Sequence, residues 1–257
     1  MTDWDTDTYE RFAAERRQPF DDLVAACTPV PGGLVYDLGC GTGTRTVDLP
    51  DALGARLVIG VDTSVTMLER AYTLEDPRVR FEVGDLRSFD PGQPVDLVLS
   101  NAALHWVDDH PGVLALWRSH LVDGGQLAVQ VPANFDHPTQ TMLGDVAADH
   151  LDWFGVDGPP GLISTNGESP ERYAEILHGL GASSQRVWLA VYAHELADTL
   201  AVVDWLRGTT LRPYRKVLDD QQYRRLLEEF SARLLDHYGQ VSPFLYTFKR
   251  ILFHATF

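Results

Sequence analysis

Cysteine is nearly absent from this chain of 257 residues, which carries only Cys27 and Cys40. Two cysteines without a metal-type spacing exclude a disulfide framework and a cysteine-based zinc site. Basic residues are also scarce: 21 Lys plus Arg stand against 37 Asp plus Glu, a net charge of −16. A field of that sign repels nucleic acid and anionic membranes, so neither is expected as a partner. No apolar run reaches the roughly 18 residues that span a bilayer. The opening Met1-Thr2-Asp3-Trp4-Asp5 lacks the basic start of a signal peptide. Repeats, low-complexity tracts and obvious linkers are missing too. What is present is 44% hydrophobic composition with six Trp, enough for one large globular unit. A reducing, cytoplasmic setting and a monomer or weak dimer are expected.

The chain is organised around Val35-Tyr36-Asp37-Leu38-Gly39-Cys40-Gly41-Thr42-Gly43-Thr44. An apolar strand runs into three glycines, each separated by one residue. That pattern suits a tight strand-to-helix turn whose free N–H groups collect polar ligand groups. A dinucleotide turn wants G-x-G-x-x-G, and Thr44-Arg45 replaces its third glycine. Asp37, ahead of the first glycine, suits a cationic amino-acid ligand better than a pyrophosphate. The turn resembles the motif of class I S-adenosylmethionine-dependent methyltransferases.

A regular alternation follows. Strands are predicted at 34–38, 56–62, 79–83, 95–99 and 127–131, with helices near 43–53 and after a Thr63 or Ser64 cap. Alternating strands and helices predict a doubly wound Rossmann-like sheet, mostly parallel with the last strand antiparallel, and ligands at the strands' carboxyl ends. Polar residues fall at those ends. Asp62, 19 residues after Gly43, is placed to accept from both ribose hydroxyls. Asp85, with Leu86 beside it, is placed to accept from an adenine amino group. Asn101 and Trp106 follow strand four, at the cofactor's amino-acid end and its ring.

A wider resemblance covers nearly the whole chain. Asp3-Trp4…Tyr9…Phe12…Glu15-Arg16…Pro19, Asn101-Ala102-Ala103-Leu104-His105-Trp106, Val129-Gln130-Val131-Pro132-Ala133-Asn134 and Asp204-Trp205-Leu206…Thr209-Thr210-Leu211-Arg212-Pro213 are similar to the trans-aconitate methyltransferases. That family esterifies one carboxylate of trans-aconitate with S-adenosylmethionine as donor. The chain departs from it at Tyr192-Ala193-His194-Glu195, where family members carry His-Gln after a Tyr pair.

The implied chemistry constrains the site. A carboxylate with a pKa of about 4 is already the nucleophile at neutral pH, so no general base is required. His105 is the candidate if one is used. The reacting atoms must be held in line with water excluded, and a small tricarboxylate needs cationic or hydrogen-bonding groups in place of solvent. Bidentate arginine suits that task. The candidates are Arg16 on an N-terminal lid, Arg212 before Pro213, and Arg250, which the family resemblance favours over its neighbour Lys249. His105, Gln130 and Asn134 complete the substrate set. His105, Asp108, Asp109 and His110 could suggest a metal, but Pro111 reads better as a helix start, and no metal is expected.

The expected organisation is therefore a helical lid over 1–30, a cofactor-binding core over 31–134, and 135–257 as cap helices plus the last strands. The cap stretches are about 135–185 and 197–240. Apolar stripes place helices at Met142–Val146, after Ser169-Pro170, at 200–206 and over 219–238.

Overall fold

The structure is a computed structural model and describes residues 17–160 and 167–257. Strand β1 (Leu34–Leu38) is buried on both faces, as a central parallel strand must be. It is flanked by β2 (Leu57–Asp62), β3 (Val79–Val83), β4 (Val95–Asn101), β5 (Leu121–Pro132), β6 (Ser184–Leu196) and β7 (Phe244–Thr256). The spatial order is β3-β2-β1-β4-β5-β7-β6. β1 to β5 run parallel, and β7 inserts antiparallel between β5 and β6. The doubly wound, mostly parallel sheet with an antiparallel final strand is the predicted one. β5 starts earlier than the predicted 127–131, and β7 is long because it pairs with β5 on one side and β6 on the other.

Register sets the two faces. Val35, Leu97, Ala128 and Leu252 share one face and pack beneath α1 (Arg17–Ala26). Pro19 lies in the first turn of α1, where its missing N–H costs nothing. Tyr192 of β6 donates its hydroxyl to Asp22 of α1 at 2.8 Å, which ties the edge strand to that helix. The opposite face holds Tyr36, Val98, Trp117 and Phe253.

The predicted helix over 43–53 is broken. Thr46–Asp48 forms a single 3-10 turn and α2 (Leu49–Leu53) follows, with Pro50 in its first turn. Ser64 caps α3 (Val65–Ala71), accepting from the Met67 amide at 3.3 Å. Asp109 caps α4 (His110–Ser119), accepting from the Gly112 amide at 2.8 Å, as Pro111 implied.

Later helices fall into two groups. α5 (Pro138–Ala148), α7 (Ala201–Arg207), α8 (Arg212–Val217) and α9 (Asp220–Tyr238) gather around a second apolar core with Leu143, Trp205, Tyr214, Phe230 and Tyr246. α6 (Pro170–Gly179), capped by Ser169, packs elsewhere. Its Tyr173 ring lies 4.7 Å from Phe253 and joins the sheet's own core. An amphipathic stripe says that a helix has an apolar face, but not which surface that face meets.

Candidate active site

The site is built first from backbone. At the end of β1 the chain turns through Gly39, Gly41 and Gly43, all at positive φ. A Cβ on Gly39 would sit 2.2 Å from the Ala103 Cβ, so this position needs glycine for packing. A Cβ on Gly41 would meet nothing within 4 Å, so this glycine faces open space in the cleft. Ala102, just after β4, also holds a positive φ of 53°, a strained conformation for a non-glycine residue at the cleft wall.

The cleft has a volume of about 780 Å³ and lies across the carboxyl ends of β1, β2 and β4. Its strand-side wall includes Asp37, Gly39, Gly41, Asp62, Asp85 and Leu86, with Asn101 and Trp106 beyond them. Gly43 packs inward, where a Cβ would strike the Phe81 ring at 2.4 Å.

The acids have distinct environments. Asp62 accepts from the Gly41 amide at 2.9 Å through one oxygen and from the Ser64 amide at 2.8 Å through the other. Each carboxylate oxygen has two lone pairs, so both retain acceptor capacity. Burial raises the Asp62 pKa, and the backbone hydrogen bonds oppose that rise. Asp37 is buried and accepts from the Thr46 hydroxyl at 2.7 Å. Burial pushes its pKa up to about 6, with Thr46 pulling it down and the Asp62 charge adding to the rise. Asp85, predicted as an open acceptor, is engaged by Arg87: Nε lies 3.0 Å from both oxygens and Nη2 lies 2.5 Å from one. That pairing holds the Asp85 carboxyl below the usual range.

The candidate substrate residues divide. Arg212 opens α8 and lines the same cleft, half-buried, with its pKa lowered by burial. Gln130, Asn134, His105 and Arg250 do not line it and are all buried. Arg250 Nη1 donates to Gln130 Oε1 at 3.2 Å, and its guanidinium lies 4.7 Å from the Phe248 ring centre. Asn134 accepts from the Lys249 amide at 3.0 Å and so joins the end of β5 to β7. His105 is pushed down to about 3, first by burial and then by the charge of Arg250, so it is neutral at pH 7. Arg16 lies outside the described residues. Lys249 pairs with Asp136, on the face opposite Arg250 as alternation requires.

Three cations of the cleft were not legible in the sequence: Arg45, Arg87 and Lys216. Arg45 and Lys216 carried no motif, and their position depends on how loops and α8 fold back. Among the buried side-chain polar atoms without a hydrogen-bond partner in the described residues are Asn101 Oδ1, His105 Nδ1, Gln130 Nε2 and Arg250 Nε. Asn101 and Gln130 are register neighbours on β4 and β5. Of these residues only Asn101 lines the cleft, and its orphaned oxygen at the end of β4 fits a polar ligand arriving there.

A methyltransferase-domain family model matches residues 35–125, the stretch that forms this strand-side wall. Over 257 residues the chain is 37% identical to a trans-aconitate 2-methyltransferase of Deinococcus radiodurans, with 98% of each chain covered. The chain belongs to the trans-aconitate 2-methyltransferase family. A family member from Streptomyces coelicolor is 36% identical over 262 residues, covering 96% of this chain and 84% of that one. Among solved structures, the YcgJ protein of Bacillus subtilis superposes with a TM-score of 0.61 at 15% identity, covering 93% of this chain and 98% of that one. A Haemonchus contortus phosphoethanolamine N-methyltransferase, solved with S-adenosylhomocysteine, gives 0.58 at 16% identity, covering 93% and 52%. At such identities the likeness is one of fold.

Membership makes the chain an S-adenosylmethionine-dependent methyltransferase, and its residues fit that cofactor. Gly41 leaves the space that a ligand needs, Asp62 keeps lone pairs for a diol, and buried Asp37 offers a counter-charge for an ammonium group. Among the described residues no group of His, Cys, Asp or Glu is arranged to hold a metal. Asp109 serves as the α4 cap, and His110 Nδ1 lies 2.7 Å from the Tyr173 hydroxyl. No helix of the described residues is long and apolar enough to cross a membrane.

Proposed function

We propose that this family member forms a monomethyl ester of trans-aconitate. The observation that carries the reading is the presence of Arg212 in the same cleft as Asp62, Asn101 and the glycine turn. A tricarboxylate removed from water needs replacement cations, and arginine meets a carboxylate with two parallel hydrogen bonds. Arg212 is also half-buried, which strengthens its attraction for an anion.

S-adenosylmethionine, when bound, supplies an electrophilic methyl group on a sulfonium. The chain's residues then have binding and positioning tasks. Asp62 and the Gly41 backbone hold the donor end of the cleft, and Asp37 balances a positive charge there. Arg212 orients the acid, with Trp106 at the cleft wall. The acid is ionised at neutral pH, so no proton has to be removed. His105 fits this account, because a buried imidazole held down to about 3 is a weak base. Gln130 and Arg250 act from behind the cleft as a hydrogen-bonded support, and Asn134 fixes the β5–β7 junction on which they stand. Arg16 is the remaining substrate candidate read from the sequence. The setting read from the sequence is cytoplasmic, with no nucleic-acid partner and a monomer or weak dimer.

The test is to mix the purified chain with methyl-labelled S-adenosylmethionine and trans-aconitate, cis-aconitate, isocitrate, citrate or a malonyl thioester. Base-labile label on trans-aconitate is the expected result. Label on the malonyl thioester alone would replace the substrate with a carrier-bound carboxylate. Tight cofactor binding without transfer to any acid would leave a cofactor-binding sensor.

A further inference from the structure

Lys216 has no place in the family motifs quoted above, yet it lines the cleft on the same short helix as Arg212. The two are four residues apart, so they lie on one face of α8, about 6 Å apart along its axis. The intervening Arg215 is directed elsewhere: its Nη2 lies 2.5 Å from Asp220, and its guanidinium lies 5.3 Å from the Tyr223 ring centre. The other two cleft cations also have acid partners. Arg87 is bidentate to Asp85, and Arg45 lies 3.9 Å from Asp48. Lys216 makes no hydrogen bond or ion pair among the described residues. Lys216 is exposed while lining the cleft, so its charge stands open to an anionic ligand there.

We propose that Lys216 is the specificity-determining cation that reads the number of carboxylates on the substrate. This rests on the proposed methylation of a small polycarboxylate. Arg212 and Lys216 form a two-point clamp, and the spacing of one helical turn suits two carboxylates of one compact acid. The reacting carboxylate must stay clear of a strong cation, since a tightly paired oxygen is a poorer nucleophile. A tricarboxylate can satisfy both cations and still present a third carboxylate to the methyl donor. A dicarboxylate cannot, so it loses one ionic contact or blocks its own reacting group. Lysine suits the outer position: its flexible stem lets a single point charge follow the distal carboxylate, whereas Arg212 fixes orientation.

The experiment compares wild type with Lys216→Met and Lys216→Arg, using trans-aconitate and fumarate as three- and two-carboxylate acids. Initial rates give KM and kcat, and calorimetry gives S-adenosylhomocysteine affinity. Lys216→Met should raise KM for trans-aconitate about ten-fold. It should change KM for fumarate and affinity for S-adenosylhomocysteine less than two-fold, and Lys216→Arg should restore most of the loss. An unchanged KM for trans-aconitate, an equal loss for fumarate, or weakened binding of S-adenosylhomocysteine would overturn the inference. If wild type transfers methyl to neither acid, binding of trans-aconitate to the S-adenosylhomocysteine complex decides. Lys216-dependent binding would keep the clamp and discard the reaction, whereas absent or Lys216-independent binding would discard the clamp.

Discussion

The two walls of the cleft are made in different ways. The strand-side wall comes from the first 107 residues, and its working groups are backbone turns and acids fixed at strand ends: Asp37, Gly41, Asp62 and Asn101. The opposite wall comes from Arg212, Pro213 and Lys216 on a helix of six residues. The first wall carries Asp37, Asp62 and Asp85, with Arg45 and Arg87 beside them, and the parallel sheet dictates where each carboxylate stands. The other is basic and rests on a helix held by Leu211, Tyr214 and Leu218 in the cap core. The division suggests that donor recognition is built into the fold, whereas acid recognition is added to it.

The sharpest way to break the comparison is Asp62→Ala. It removes the acceptor proposed for the ribose hydroxyls together with the acceptors for the Gly41 and Ser64 amides. Affinity for S-adenosylhomocysteine should fall by about 4 kcal/mol, close to a thousand-fold, as calorimetry would read. A loss confined to turnover of the acid would mean that the acidic wall does not serve the donor.

Asp37→Asn tests the same wall through stability. Burial raises the folded-state pKa to about 6, so the folded protein binds this proton more tightly than the unfolded chain does. The carboxyl's stabilising contribution is therefore full below about pH 4 and lost as pH rises through 6. Asparagine keeps an acceptor for Thr46 without the charge. Denaturant titrations should find the variant more stable than wild type at pH 8, by up to about 3 kcal/mol, with the gap closing below pH 4. Cofactor affinity should fall at the same time. A gap independent of pH would show that Asp37 is not the titrating group.

Arg212→Gln probes the basic wall. KM for trans-aconitate should rise about ten- to thirty-fold with S-adenosylhomocysteine binding unchanged, since one charge-assisted contact of about 2 kcal/mol is lost. Equal losses for donor and acid would erase the distinction between the walls. The smallest effect is expected from Tyr192→Phe, which removes only the hydrogen bond to Asp22. It should cost about 1 kcal/mol of stability, and a large fall in kcat would instead place the α1–β6 junction in the active site.

The strand-side wall was legible in the sequence because its residues are fixed locally. A strand end, a glycine turn and an acid a set distance later determine one another's positions, so Asp37, Asp62 and Asn101 could be placed before any coordinates. Asp85 was located but not its partner, since nothing in Asp85-Leu86-Arg87 says that the arginine folds back. Arg212 was found through its motif. Gln130, Asn134 and Arg250 were read as lining the pocket, and they stand behind it, because a polar residue near a strand end can face inward as readily as outward. Lys216 was missed for the converse reason: its role depends on where a late helix lands. The placement of α6 against the sheet was hidden in the same way.

α8 is short and suspended between Gly208–Thr210 and the Asp219 cap of α9. One residue inserted ahead of it would turn its face by about 100°. Arg215 would then take the angular place that Lys216 holds toward the cleft. Selectivity among acids can thus drift by a change of helical phase, leaving the composition of the helix and the entire donor wall untouched.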